Sequence, residues 1–277
     1  MRQNERNAPG ISLRTRASVH YSEFDPSPPL AGQVSCYWRV EVGEVAPGHR
    51  HQVIPDGCVG LVASRSAGGG AWLTVQGPRL DALWVPIAAG DSFWGVRFWP
   101  DIGAAILRRD ARALFGVLDR AHTALGPVAD VLANALATAG DEGEARERWE
   151  EHLTPLIQAS RPPDPAVRAA VLAIVAARGS APIGELAAAV HLSPRQLQRR
   201  FSAAVGLSPK QFARVRRLRE ALLHLVEGTN RSWSAVAAEL GFADQAHLIR
   251  EFRSLAGLPP GEVAERIRLI GHGQVRP

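Results

Sequence analysis

Arg195, Gln198, Arg199 and Ser202 fall at helical spacing. At 100° per residue their side chains share one face, spread over about 100° of arc opposite Leu197. These are side chains that read a nucleic acid. Arginine pairs in bidentate fashion with guanine and glutamine with adenine, and serine reaches a base or a phosphate. An ordinary polar helix surface accounts for one such face equally well, so its meaning depends on what surrounds it.

Other residues capable of chemistry form weaker patterns. His49 and His51 flank Arg50 and resemble the opening of a cupin metal motif, in which neighbouring strand histidines hold one ion. The carboxylate expected next is missing from Gln52 to Pro55, although Asp56 or Cys58 would supply a third ligand. An ordinary exposed loop is the expectation, with no metal bound. Cys36 and Cys58 are the only cysteines, too few for a four-cysteine zinc site or a disulfide framework. No GxSxG elbow, phosphate-cradling glycine motif or HExxH helix occurs, so no enzymatic activity and no cofactor are expected. The competing reading is a metal-binding, cupin-like enzyme or sensor barrel fused to a helical domain. Six of the seven tryptophans precede residue 161; Trp38, Trp72 and Trp94 are the candidates for an apolar ligand pocket, against core packing as the plain alternative.

The elements that must position these residues follow from charge and punctuation. Residues 1–165 carry 16 basic and 19 acidic side chains, whereas residues 166–277 carry 16 basic and 8 acidic ones. A polyanion partner is therefore expected for the second part alone. Arg161-Pro162-Pro163-Asp164-Pro165 breaks any helix at the junction. Before it, short strands are expected at Val34 to Val42, Val53 to Ala63, Ala71 to Gln76, Ala82 to Val85 and Phe93 to Phe98, separated by glycine and proline turns. They describe a small β-barrel or sandwich. The organisation expected is a strand-rich, effector-sensing domain over 1–100, a helical connector or dimerisation region over 101–160, a proline-rich linker over 161–165 and an all-α domain over 166–270. The fold class is α+β. No stretch reaches the ~18 apolar residues that cross a bilayer, and no export signal opens the chain, so a cytoplasmic protein without a membrane partner is expected.

After the prolines the sequence repeats itself. Leu186-Ala187-Ala188-Ala189-Val190-His191-Leu192 returns as Val236-Ala237-Ala238-Glu239-Leu240-Gly241-Phe242, and Gly206-Leu207-Ser208-Pro209 as Gly257-Leu258-Pro259-Pro260. Ser193 and Asp244 precede the second helix of each copy as N-caps. Leu197, Phe201 and Ala204 point inward in the first copy, and Leu248, Phe252 and Leu255 in the second. Start, turn, phase and stop all recur, which describes two helix-turn-helix units. Between them a helix from about Pro209 to Val226 buries Phe212, Val215, Leu218, Leu222 and Leu225 and ends at Gly228.

Leu192-Ser193-Pro194-Arg195-Gln196-Leu197-Gln198-Arg199-Arg200-Phe201, Val236 through Gln245, Arg250-Glu251-Phe252-Arg253 and Gly257-Leu258-Pro259-Pro260 resemble the DNA-binding domain of the AraC/XylS family of bacterial transcription regulators. The resemblance covers roughly residues 166–265. It departs from the family pattern at Ala246, His247 and Leu248, where a small polar residue followed by aromatics is frequent. Ile54-Pro55-Asp56-Gly57-Cys58-Val59 and Gly95-Val96-Arg97-Phe98 are similar to the N-terminal regions of one branch of that family. The resemblance implies a sequence-specific transcription regulator with promoter DNA as partner, a small-molecule effector at the N-terminal domain, a homodimer, and RNA polymerase as a further partner if it activates. Arg195, Gln196, Gln198, Arg199 and Ser202 in the first unit, with Gln245, His247, Arg250 and Arg253 in the second, are the expected DNA-binding residues.

Overall fold

In the computed structural model, which describes residues 18–226 and 232–268, alternating burial along the strands builds two β-layers. The strands are β1 (Val19–Phe24), β2 (Val34–Val42), β3 (Arg50–Val53), β4 (Gly60–Arg65), β5 (Ala71–Gln76), β6 (Leu83–Pro86), β7 (Ser92–Phe98) and, after a one-turn helix α1 (Gly103–Ile106), β8 (Leu118–Arg120). Six form an antiparallel sheet in the order β1-β2-β7-β4-β5-β8, and β3 pairs with β6 as a separate ribbon. The chain then enters α2 (His122–Leu125), α3 (Val128–Ala137) and α4 (Glu142–Gln158). Period-two burial divides the large sheet. One face, with Tyr37, Leu61, Leu73, Val96 and Phe98, forms a single buried cluster with Leu132, Leu136, Trp149 and Leu153 of α3 and α4.

Three sequence expectations change here. The stretch Val53 to Ala63 is two strands joined by a turn. Pro55 has no N–H to give a ladder, Gly57 sits at φ 76°, and Asp56 Oδ1 accepts from Cys58 N at 2.9 Å. Strands β1 and β8 were not anticipated, and β8 completes the sheet from within the span read as helical. The run Gly140 to Glu144 read as an interruption contains a helix start: Asp141 caps α4 by accepting from Glu144 N.

The remaining helices are α5 (Pro165–Ala176), α6 (Ile183–Ala189), α7 (Pro194–Val205), α8 (Pro209–Val226), α9 (Trp233–Glu239), α10 (Gln245–Ala256) and α11 (Pro260–Arg268). α6–α7 and α9–α10 are the two helix-turn-helix units. His191 and Gly241, equivalent in the repeat, both take the left-handed conformation that the turn demands, at φ 55° and 71°. The cores are separate. Val167, Val171, Ile174, Leu186, Leu197, Phe201 and Val205 fill the first with Phe212 and Ala213 of α8; Val236, Leu240, Leu248, Phe252 and Leu255 fill the second with Leu218, Ala221 and Leu222 of the same helix. The expected stripe on α8 therefore belongs to both units. The Leu225 side chain and Gly228 lie outside the described residues.

The proline-rich segment is tied down at its end. Asp164 caps α5 and binds Arg200 of α7 through both oxygens, at 2.5 and 2.6 Å. That hydrogen-bonded arginine holds the Asp164 carboxyl below its ordinary range.

Candidate DNA interface and internal cavity

Helix α7 starts at a reciprocal cap. Gln196 N donates to Ser193 Oγ at 3.3 Å and Ser193 N donates to Gln196 Oε1 at 2.9 Å, with Pro194 in the first turn. This satisfies two donors that a helix start leaves open. Leu197, Phe201 and Val205 are fully buried, which fixes the rotation of the helix. Arg195, Gln198 and Arg199 are exposed and Ser202 is half-buried. These four, with Ser193, Gln196 and Arg112, line one open hollow. The structure thus brings together every expected residue of the first unit, with Gln196 serving the helix start.

Helix α10, the second helix of the second unit, is anchored similarly and presents a different surface. Asp244 caps α10 by accepting from His247 N at 2.6 Å. Gln245, Arg250 and Arg253 are exposed. His247 is half-buried: its Nδ1 accepts from Ala243 N at 3.2 Å, and its ring meets Phe242 edge-on at 5.5 Å. Those contacts stabilise the helix start.

Two arginines that the sequence did not single out hold α8 to the second unit, one at α10 and one at the turn before it. Arg214 grips Glu251 with Nε–Oε2 at 2.8 Å and Nη2–Oε1 at 3.1 Å. Arg217 lies over the Phe242 ring at 5.2 Å and donates to Gly241 O at 3.2 Å. The partners are 37 and 24 residues apart, beyond any local sequence signal.

The second face of the large sheet and the β3–β6 ribbon enclose a cavity of about 450 Å³. Trp38, Trp72, Val40, Val62, Val85 and Phe93 contribute apolar wall; Ser64, Thr74, His51 and Arg97 contribute polar groups. Trp38 and Trp72 line this cavity. Trp94 does not: it is 3% exposed in the core between sheet and helices, beneath the Arg39 guanidinium at 4.5 Å. Strand alternation sends it to the opposite face from its neighbour Phe93.

His51 also departs from expectation. It lies on β3, buried against the cavity rather than in an exposed loop. Among the described residues no group of three or more His, Cys, Asp or Glu side chains is placed to hold a metal ion. Burial, aided by His49, pulls the His51 pKa from the usual 6.5 to about 4. The folded state therefore keeps the ring neutral, and stability fully present above pH 6.5 declines as pH falls towards 4. The loss should reach about 3 kcal/mol. Denaturant unfolding as a function of pH should show a shallower acid slope in His51→Gln; an unchanged slope would contradict a buried neutral imidazole.

The cavity floor carries a charged cluster that reaches α8. Arg97 Nε binds Asp56 Oδ2 at 2.7 Å, and its Nη1 binds Glu23 Oε1 at 3.1 Å. Burial alone would raise the Asp56 pKa, but Arg97 and Arg219 outweigh it and hold the carboxyl below its ordinary range. Arg216, Arg219 and Glu220 of α8 are 3–6% exposed, and Arg219 lines the cavity itself. Burial, reinforced by repulsion from Arg219, lowers the Arg216 pKa to about 10. The Cys36 and Cys58 thiols nearby are pushed up by burial, which makes them poor nucleophiles.

The two halves meet closely at this point. A Cβ on Gly57 would come within 2.8 Å of the Phe212 ring. Ile54 joins the second unit's core, and Leu80 packs against both cores. Arg168 Nε binds Asp101 Oδ2 at 2.6 Å, and Gln52 donates to Ala256 O. Contacts separated by 67 and 204 residues carry no sequence signature.

Comparison with known proteins finds two separate matches along the chain. Residues 186–266 match the family described as a helix-turn-helix domain, and residues 22–117 match a domain of unknown function, DUF6597. The HTH-type transcriptional regulator MtrA of Neisseria gonorrhoeae is 36% identical over 80 residues, which cover 29% of this chain and 26% of that protein. The chain thus spans about a quarter of the length of that curated relative. Among solved structures, a transcriptional regulator with an AraC-type DNA-binding domain from Chromobacterium violaceum is 25% identical, covering 37% of this chain and 91% of its own, with a TM-score of 0.34. ToxT from Vibrio cholerae covers 91% of this chain and 98% of its own at 6% identity, with a TM-score of 0.44. The fold is α+β, a strand-rich domain followed by a helical one. Among the described residues no helix is long and apolar enough to cross a membrane. Residues 186–266 of the chain are a helix-turn-helix domain, similar in sequence to part of the transcriptional regulator MtrA.

Proposed function

We propose that this chain is a sequence-specific transcription regulator whose strand-rich half takes a small-molecule effector into the 450 Å³ cavity and acts on promoter DNA without catalysing a reaction. The observation that carries the DNA-reading part is the pair of helix-turn-helix units built onto one helix, with Arg195, Gln198, Arg199 and Ser202 displayed together in the first. A helix-turn-helix lays such a helix in the major groove, where these side chains reach base edges. In the second unit Gln245, Arg250 and Arg253 supply fewer base-reading groups, since Ala246 and Ile249 occupy the positions of Arg195 and Gln198. Both units lie on one chain and differ in sequence, so each monomer covers an asymmetric site.

Effector control rests on the shared wall. The Ile54 to Cys58 turn and Arg219 of α8 border the cavity and the junction between the halves. A ligand that shifts the Asp56–Arg97 pair then alters the seating of the helix that spaces the two units. Self-association, through the exposed apolar side chains Phe115, Leu118, Val128 and Val131, and RNA polymerase contact in the case of activation complete the reading.

The test uses the full chain. Duplex DNA selected from a random pool should be bound with an affinity that falls steeply with salt. Arg195→Ala and Arg199→Ala should each cost about 1 to 3 kcal/mol and relax base preference, whereas changes in α10 weaken binding more uniformly. Base preference lost chiefly on changing Arg250 would reverse the assignment of the main reading helix.

A further inference from the structure

The face of the first unit extends beyond the helix-turn-helix. After α1 the chain reverses at Arg108, whose φ is 52°. Arg108 N donates to Ala105 O at 3.0 Å, and Arg109 N to Ala104 O at 2.9 Å. Asp110 Oδ1 then accepts from Arg112 N at 2.8 Å. Ala111 and Leu114 are 1% and 3% exposed within the strand-rich domain's core. This short segment is therefore held by backbone bonds and by two buried anchors.

It is also pressed against the end of α7. The helix stops at Gly206 in the left-handed conformation, and a Cβ there would come within 2.4 Å of Ala111 O. The close approach carries Arg112 into the same hollow as Arg195, Gln198, Arg199 and Ser202. Arg108, Arg109 and Arg112 are all exposed. Among the described residues none of the three is in an ion pair with a carboxylate. They form a local basic site in the half of the chain whose acidic side chains outnumber its basic ones.

From this placement we propose that the segment Arg108–Arg112 is a phosphate-binding site for duplex DNA, contributed by the strand-rich domain, with Arg112 as its principal contact. The inference rests on the reading that α7 occupies the major groove. A helix in that groove is flanked by the two phosphate backbones, so an arginine at the rim of the hollow, on a neighbouring segment, meets a phosphate rather than a base edge. Such contacts position a protein without carrying sequence information. The strand-rich domain then adds affinity, and its seating against Gly206 adjusts that affinity.

The experiment measures affinity of the full-length protein for a selected duplex and for a random duplex across a salt series. The comparison is wild type against Arg112→Ala, Arg112→Lys and the triple alanine variant of Arg108, Arg109 and Arg112. Arg112→Ala should weaken binding to both duplexes by the same factor, about three- to tenfold at low salt, and reduce the log–log salt slope by about 0.9. Arg112→Lys should retain most of the slope, and the triple variant should lower it further. Thermal unfolding should be unchanged, because these side chains are exposed. Wild type that prefers the selected duplex, with Arg112→Ala equal to it in affinity and slope, would overturn this inference alone. Tighter binding by Arg112→Ala would also overturn it and make the segment a block on α7. Wild type that binds neither duplex would overturn the DNA reading and this inference with it.

Discussion

One alanine inserted between Val215 and Arg216 is expected to abolish simultaneous engagement of two major-groove segments. The insertion shifts everything beyond it by 1.5 Å and rotates it by about 100°. α8 has 18 residues and so spans about 27 Å, which suits reading helices set one DNA turn of about 34 Å apart on one face of the duplex. Phe212 and Ala213 belong to the first core, and Leu218, Ala221 and Leu222 to the second. An insertion between these groups leaves each unit its own contacts and misaligns the units. It also breaks the Arg214–Glu251 grip, which spans the insertion point. Footprinting of a folded insertion variant should show one protected segment or none. Two protected segments at unchanged spacing would refute a rigid spacer.

Leu218→Ala should destabilise the protein by about 2 to 5 kcal/mol, the range for removing a fully buried leucine and leaving a partly unfilled space. Leu218 is 0% exposed and belongs to the cluster that contains Leu248 and Phe252 of the second reading helix. The loss should appear in denaturant unfolding followed by a helical signal. A loss under about 1 kcal/mol would mean that this part of α8 is not the helix's anchor in the second unit. Because the side chain belongs to the second core, whereas the hollow is lined by α7 and its cap with Arg112, base preference in the first unit should survive the substitution in whatever fraction remains folded.

The arrangement explains why a specificity determinant need not touch a base. In the proposed reading Arg195 and Arg199 select contacts within one groove segment, while α8, with Arg214 gripping α10 and Arg217 holding the turn before it, sets where the second helix falls relative to the first. Arg216 and Arg219 of the same helix are buried and line a small hollow with Asp56 and Arg97 of the strand-rich domain, and Glu220 pairs with Arg216. The helix that spaces the units is therefore also the wall that the cavity shares.

Much of the C-terminal half was determined by sequence alone, because its information is local. The repeat, the caps Ser193 and Asp244, the closing Gly206 and Gly257, and the limits of α8 all follow from 3.6-residue periodicity and end signals within one or two turns. The four polar tips on α7 follow from the same period. Tertiary structure decided the rest. Trp38 and Trp94 look alike in sequence, yet strand pairing and pleat send one to the cavity and the other to the core. Strands β1 and β8 exist through pairing with β2 and β5, and the three residues of β8 are too short to carry a pattern of their own. Asp56 meets Arg97 across 41 residues, Arg219 reaches the cavity from the other half, and Arg112 stands beside α7 because Ala111 packs on Gly206. Periodicity and capping are short-range and can be read along a chain. Which face of a sheet is enclosed, and which domain leans on a helix, depends on long-range packing that no local pattern records.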